Sequence, residues 1–494
     1  MKNRIITILS TILLVFNFTA CSDDFLNTVP TESVDATSAY ATTKNASAAI
    51  NGIYRSLIVR YLGSQGHFGH PAVMLIMDHL GEDLIQGAAS ASWHVAETRW
   101  VAHRTDNTAG VRLPYEMYYR VIANTNVAIE NTPNAVGTQA QKDQILGEAL
   151  GLRAWSYFNL IQLYGKRYNA AAKPNSSPGV PLVLKPTVEG LPRATVEEVY
   201  TQINKDLVEA SKILGTTRTY KSHINLDVIK GIQARVALTQ QNWEAAAKFA
   251  NEARKSYPIM NEATYQDGFS NISNTEWMWG FDHLEDQSEF FGAFHSYVSC
   301  NYNSTVIRTY PKVINSKLYD QIPTSDVRSK MWIKAPTAAN AVTPPGGIRP
   351  PYLNQKFKLP GTPSTSTMGD IPYMRSSEMV LIEAEALARQ GKDADAAKVL
   401  QELVVKRDAS AVLSTNTGEK LIDQIMFNRR VELWGEGFRF LDLKRTNTAL
   451  NRNGANHIAA ITTIYDVPAD DKMWEWLIPR AELDANKAVV QNPL

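Results

Sequence analysis

The chain has 494 residues, of which 44 % are hydrophobic and 20 % charged. Its 50 Lys and Arg balance 49 Asp and Glu, which argues against nucleic acid or an anionic membrane surface as partner. With only two cysteines, Cys21 and Cys300, a disulfide-stapled scaffold is excluded and the fold must rest on an apolar core.

At the N-terminus, Lys2 and Arg4 precede an apolar run over residues 5–16, and Phe18-Thr19-Ala20-Cys21 closes it. The run is shorter than the roughly 20 residues a membrane span needs and has the form of a secretory signal peptide covering residues 1–20. Its end resembles a lipobox, with Phe18 where Leu is usual, which makes Cys21 the lipidated first residue after cleavage. Residues 21–39, polar and interrupted by Pro30, read as a tether.

Helix formers dominate residues 40–62 and 115–131, and residues 141–165 carry Leu146, Leu150, Ala154, Phe158 and Ile161 at spacings of three and four. Gly165 stops that helix. Thr195 opens another, with Glu197 and Glu198 at its positive end. Two helix pairs then look like degenerate copies. Ile229, Ile232 and Val236 face Ala246, Ala250 and Ala253 in the first; Leu381, Ala384 and Ala388 face Ala397, Leu400 and Val404 in the second. Small residues at these spacings let antiparallel helices approach closely, as in tetratricopeptide repeats, but the copies lie about 150 residues apart rather than the roughly 34 of a tandem array. The expected fold is mainly α: a tetratricopeptide-like helix-pair scaffold over about 40–62, 115–260 and 375–494, within a single domain spanning 40–494. Long irregular insertions, about 63–114 and 261–374, are rich in Gly, Asn, Ser, Tyr and Pro, and loops on a rigid scaffold are the usual home of binding residues. Within the second, Trp277, Trp279 and Phe281 alternate as on a strand, and the two tryptophans are read as packing.

Several blocks in order resemble the SusD/RagB family of surface nutrient-binding lipoproteins. They include Gly147-Glu148-Ala149-Leu150-Gly151-Leu152-Arg153-Ala154-Trp155-Ser156-Tyr157-Phe158, then Pro192-Arg193-Ala194-Thr195, then Asp370-Ile371-Pro372-Tyr373-Met374-Arg375. The sharpest is Arg429-Arg430-Val431-Glu432-Leu433-Trp434-Gly435-Glu436-Gly437-Phe438-Arg439-Phe440-Leu441-Asp442, and Ile478-Pro479-Arg480-Ala481-Glu482-Leu483 follows near the end. The family often finishes with Gly and an aromatic after its last Pro; here Pro493 is followed by Leu494. The resemblance implies an outer-membrane, lipid-anchored, cell-surface protein whose insertions form the ligand face. It implies capture of oligosaccharides, or of peptides in one branch, for a SusC-like TonB-dependent transporter. The shared blocks themselves are read as scaffold, with Arg439 and Asp442 as a helix-face ion pair.

A sugar ring stacks its C–H face on flat aromatics while its hydroxyls bond to Asn, Asp, Arg and Gln, and Trp and Tyr offer rigid area at low entropic cost. Candidates in the insertions are Trp93 and Trp100 in the first, and Tyr297, Tyr302, Tyr310 and Trp332 in the second, with Asn301, Asn303 and Arg308 as hydroxyl partners. No catalytic motif is present, and no cofactor is called for. His67, His70, His79, His94 and His103 lie near Asp78, Glu82 and Asp83, but glycines around the first two argue against a metal-aligning helix, and no metal is expected. Two other readings compete with glycan capture: a peptide-capturing member of the same family, and a repeat-based interaction protein with no small ligand. Exposure of Trp93, Trp100 and Trp332 separates the last from the others.

Overall fold

The computed structural model describes residues 36–287 and 293–494. The expected signal peptide, Cys21 and most of the tether lie outside the described residues. About 48 % of the chain is helical, and no helix among the described residues is long and apolar enough to cross a membrane.

The helices stack in sequence order. α1 (Thr43–Ser56) lies on α3 (Ala109–Asn131), and α3 on α4 (Gln139–Tyr164). α5 (Val196–Ile213), α6 (Leu226–Thr239) and α7 (Trp243–Arg254) continue the row. α7 then packs directly on α8 (Ser376–Arg389), which carries α9 (Asp393–Val404) and α10 (Gly418–Glu432), with α11 (Arg439–Thr446) beyond. The two degenerate pairs, α6–α7 and α8–α9, are therefore adjacent in space, and the intervening residues loop out between stacked repeats. Ala246, Ala250 and Ala253 are fully buried at the α6–α7 seam, as is Ala384 on α8. Local signals set the ends of these helices. Thr138–Gln141 and Thr195–Glu198 form reciprocal capping boxes on α4 and α5, which satisfy amide donors that the first turn leaves free.

The insertions are less irregular than expected. Residues 70–80 form α2 (His70–Leu80), buried along its whole length. Because it is covered on every side it lacks a polar stripe, so its sequence carries no helical periodicity. α3 also starts six residues before the expected 115, capped by Thr108. Next to α2, β1 (Leu84–Gln86) pairs antiparallel with β3 (Lys312–Ile314), and β5 (Leu353–Asn354) and β4 (Trp332–Ile333) complete a four-stranded sheet in the order β1-β3-β5-β4. β2 (Trp277–Phe281) pairs with β6 (Ile371–Arg375), burying Trp277 and Trp279 completely.

A buried ionic network fastens the second insertion to the scaffold. Arg375 forks onto Glu436 at 2.8–2.9 Å and bonds Glu276. Arg407 forks onto Glu432 at 2.9 and 3.0 Å. Lys356 donates to Glu436 at 2.7 Å and to the Glu432 and Trp434 carbonyls. Arg328 forks onto Asp326 and sits 3.7 Å from Glu432. Burial alone would raise the Glu432 carboxyl, but Arg407 and Arg375 hold it well below the usual carboxylate range. The expected Arg439–Asp442 pair does not form. Arg439 bonds Glu82, while Asp442 takes Arg429 at 2.7 Å and Arg445 at 2.8 Å. Asp442 thus pairs with the residue three after it rather than three before it, because Arg439 is turned toward Glu82.

Candidate ligand-binding site

Within the first insertion, against the start of α3, a cleft of about 250 Å³ opens between Gly66, His67, Trp93, His94, Glu97 and Gly110. Trp93 is half-buried. One edge of its indole meets Tyr297 at 5.8 Å, ring centre to ring centre, nearly perpendicular. Gly66 lies under the six-membered ring: a Cβ there would sit 2.9 Å from Trp93 Cε3, so only glycine lets the ring settle against the backbone. The backbone of Trp93 is held by the sheet. In the β1–β3 register Gln86 faces Lys312; Lys312 Nζ donates to Gln86 Oε1 at 2.8 Å, and Gln86 Nε2 donates to the Trp93 carbonyl at 2.8 Å. Burial lowers the Lys312 ammonium to about 7.

The short helix Thr305–Thr309 closes the neighbouring side. Ser90 Oγ donates to the Thr309 carbonyl at 3.1 Å, and the Ser92 and Tyr310 hydroxyls bond at 2.8 Å. Burial pushes the Tyr297 hydroxyl upward, and nearby Tyr310 adds to the effect. Arg308 Nη1 donates to Asn303 Oδ1 at 2.6 Å, and both side chains are partly exposed on this segment. Beneath the cleft His94 stacks on His79 at 5.0 Å, and burial lowers the His94 imidazole to about 3. Glu97, at the N-terminal end of α3, is raised by burial. Among the described residues no group of three or more His, Cys, Asp or Glu is placed to hold a metal ion.

Of the nine residues expected at the ligand face, the fold leaves Trp93, Asn303 and Arg308 partly exposed. The other six need correction, because each is buried: Tyr297 is enclosed by Phe68 and the edge of Trp93, and Tyr310 spends its hydroxyl on Ser92. Trp100 is 1 % exposed, donates Nε1 to the Leu80 carbonyl and is boxed in by Trp474 and Phe440. Trp332 is 1 % exposed against Trp434, with ring centres 5.4 Å apart. Asn301 spends its amide on the Leu359 and Gly361 carbonyls and on the Leu359 amide. Tyr302 is fully buried, bridged to Ser364. Sequence reasoning missed Gln86, Lys312, Ser92 and Glu97. No local pattern marks the first two, which meet only through a strand pairing 226 residues apart.

Residues 33–238 match a family model described as starch-binding, associating with the outer membrane, and residues 351–494 match the model of the SusD family. The chain belongs to the SusD/RagB family. It is 25 % identical over 398 residues to SusD-like protein P38 of Formosa agariphila, covering 69 % of this chain and 73 % of that one. A SusD-like carbohydrate binding protein from Bacteroides vulgatus superposes with a TM-score of 0.77 at 25 % identity, over 91 % of this chain and 98 % of that one. A laminarin-binding SusD-like protein shares the fold at 21 % identity and a TM-score of 0.71, over 92 % of this chain and 100 % of its own. Members of this family are binding proteins.

Proposed function

We propose that this SusD/RagB protein is a non-catalytic, lipid-anchored protein of the outer-membrane surface. It captures an oligosaccharide at the Trp93 cleft and delivers it to a SusC-like TonB-dependent transporter. The observation that carries the reading is Trp93 itself. Of the six tryptophans and tyrosines expected to stack at the ligand face, it is the one whose ring is not sealed in the core. Its edge is braced by Tyr297, its underside by Gly66, and its carbonyl by Gln86, so a sugar ring would meet a platform already in place, with little ordering cost on binding. Asn303 and Arg308 supply hydroxyl partners on the adjoining segment. The match to a starch-binding family model and the likeness to a carbohydrate-binding structure support the ligand class. The apolar N-terminal run ending in the lipobox-like Phe18-Thr19-Ala20-Cys21 and the match to a family model described as associating with the outer membrane support the location.

The test is a titration of the chain lacking its first 21 residues with soluble glycans, laminarin and starch among them, and with a mixed peptide pool, read by calorimetry. Trp93→Ala should weaken glycan binding about tenfold or more while leaving the melting curve in place. Binding of peptides alone would move the ligand class to peptides, and glycan binding unchanged by Trp93→Ala would remove the site. For the anchor, Cys21→Ser should abolish incorporation of labelled palmitate and release the protein from membranes.

A further inference from the structure

A larger cavity, about 410 Å³, opens elsewhere, between the C-terminal end of α4 with residues 166–177 behind it, the end of α11, and residues 469–475. It shares no lining residue with the Trp93 cleft and lies within the roughly 300–1,000 Å³ of small-ligand pockets. Its walls are ordered in advance. Lys444, on α11, caps α4 by donating to the Gln162 and Gly165 carbonyls at 2.7 and 2.8 Å. Arg167 Nε donates to Asp470 Oδ1 at 2.8 Å, and Asn447 Nδ2 donates to Asp470 Oδ2 at 3.0 Å. Asn447 takes the left-handed conformation that ends α11, with φ of 54°.

Two acceptors in this wall remain open. Asn447 Oδ1 is buried and has no hydrogen-bond partner. The Glu475 carboxylate, on a residue only 8 % exposed, lines the cavity and accepts no hydrogen bond among the described residues. A buried acceptor without a donor, as Asn447 Oδ1 is, is costly, so the site favours an occupant that donates. The formal charges cancel: Lys166, Arg167 and Lys444 against Asp470, Asp471 and Glu475. A phosphate or a cationic ligand would gain little net attraction there. Leu443 and Trp474 add apolar wall.

We propose that this cavity is a second binding site, for a neutral ligand rich in hydroxyl donors and of mono- or disaccharide size. Asn447 Oδ1 and Glu475 accept its hydroxyls, and Leu443 and Trp474 meet its C–H face. The proposal is independent of the Trp93 cleft, and the experiment separates the two.

The probes are glucose, galactose, mannose, maltose, cellobiose and laminaribiose, with a tripeptide pool beside them, followed by ligand-observed NMR on the chain lacking its first 21 residues. The background is Trp93→Ala, which removes the first site. At least one sugar should still bind. Asn447→Gly, which keeps the left-handed turn, and Glu475→Gln should each weaken it about tenfold, and Ser176→Trp, an exposed position at the mouth, should abolish it. The proposal is overturned if no sugar binds the Trp93→Ala chain at 20 mM, an order-of-magnitude ceiling of about −2 kcal/mol. It is equally overturned if binding is indifferent to Ser176→Trp and Asn447→Gly in variants that melt like the parent, or if only the peptides bind. Glycan binding by the wild type that Trp93→Ala leaves untouched would instead count against the first site.

Discussion

Glu432→Gln tests whether the buried network acts as a closed set of charges. Four cations, Arg328, Arg375, Arg407 and Lys356, face four anions, Asp326, Glu276, Glu432 and Glu436, and every one of the eight is buried. Glutamine keeps the shape but cancels one anion. The bonds from Arg407 and the 3.2 Å bond from Arg375 lose their anionic acceptor, and whichever oxygen becomes the amide N–H₂ points a donor at a guanidinium. Breaking one partner of a buried pair costs about 3–5 kcal/mol because the remaining charge stays behind uncompensated. That is a large part of the 5–15 kcal/mol typical of a folded protein. Urea denaturation followed by tryptophan fluorescence and far-ultraviolet circular dichroism gives the cost from the shift in midpoint, provided the two probes coincide. The double variant Arg407→Met/Glu432→Met restores charge balance, so it should cost at least about 2 kcal/mol less than the two single changes added together. A Glu432→Gln cost below about 1 kcal/mol, or strict additivity in the double variant, would refute the closed-set argument.

Other outcomes follow from single sites. His79 is 1 % exposed with both ring nitrogens unpartnered, and burial holds it neutral well below its usual pKa; its contribution to stability is therefore complete above about pH 6.5 and is lost as pH falls below it, at roughly 1.4 kcal/mol per pH unit. His79→Leu should stabilise the protein at pH 5 more than at pH 7.5, and urea midpoints with the same pH slope in both chains would exclude this. Gly437 has φ of 86°, and a Cβ there would lie 2.8 Å from Met74 Cα, so Gly437→Ala should cost about 2 kcal/mol or more, with a melting temperature unchanged within a degree as the contrary result. Burial raises the Cys300 thiol to about 12; it should resist maleimide in the native state and react once the chain is unfolded, and rapid native labelling would show the site to be open.

What the sequence reveals follows the range of the interaction that decides each feature. Capping at Thr195 and the stop at Gly165 depend on residues within one turn, and both lie where the sequence places them. The two alanine-lined helix pairs were legible for the same reason, although only the fold shows that α7 and α8 meet across the stretch from Arg254 to Ser376. Trp93 and Trp100 show the opposite case. They lie seven residues apart in one glycine-containing segment, and nothing local distinguishes them. Trp100 is sealed by Trp474 and Phe440, more than 300 residues downstream, whereas Trp93 meets Tyr297 on one edge and leaves the rest of its ring toward the cleft. The Arg439–Asp442 expectation failed in the same way: helical spacing allows Asp442 a partner three residues before or after it, and only the fold shows that Glu82 claims Arg439 while Arg445 and Arg429 take Asp442. α2 was hidden for a complementary reason, since a helix covered on all sides loses the amphipathic signature that makes helices readable. Exposure of an aromatic is thus a property of the chain that covers it, and which tryptophan stays open becomes visible only when the distant segments are folded against it.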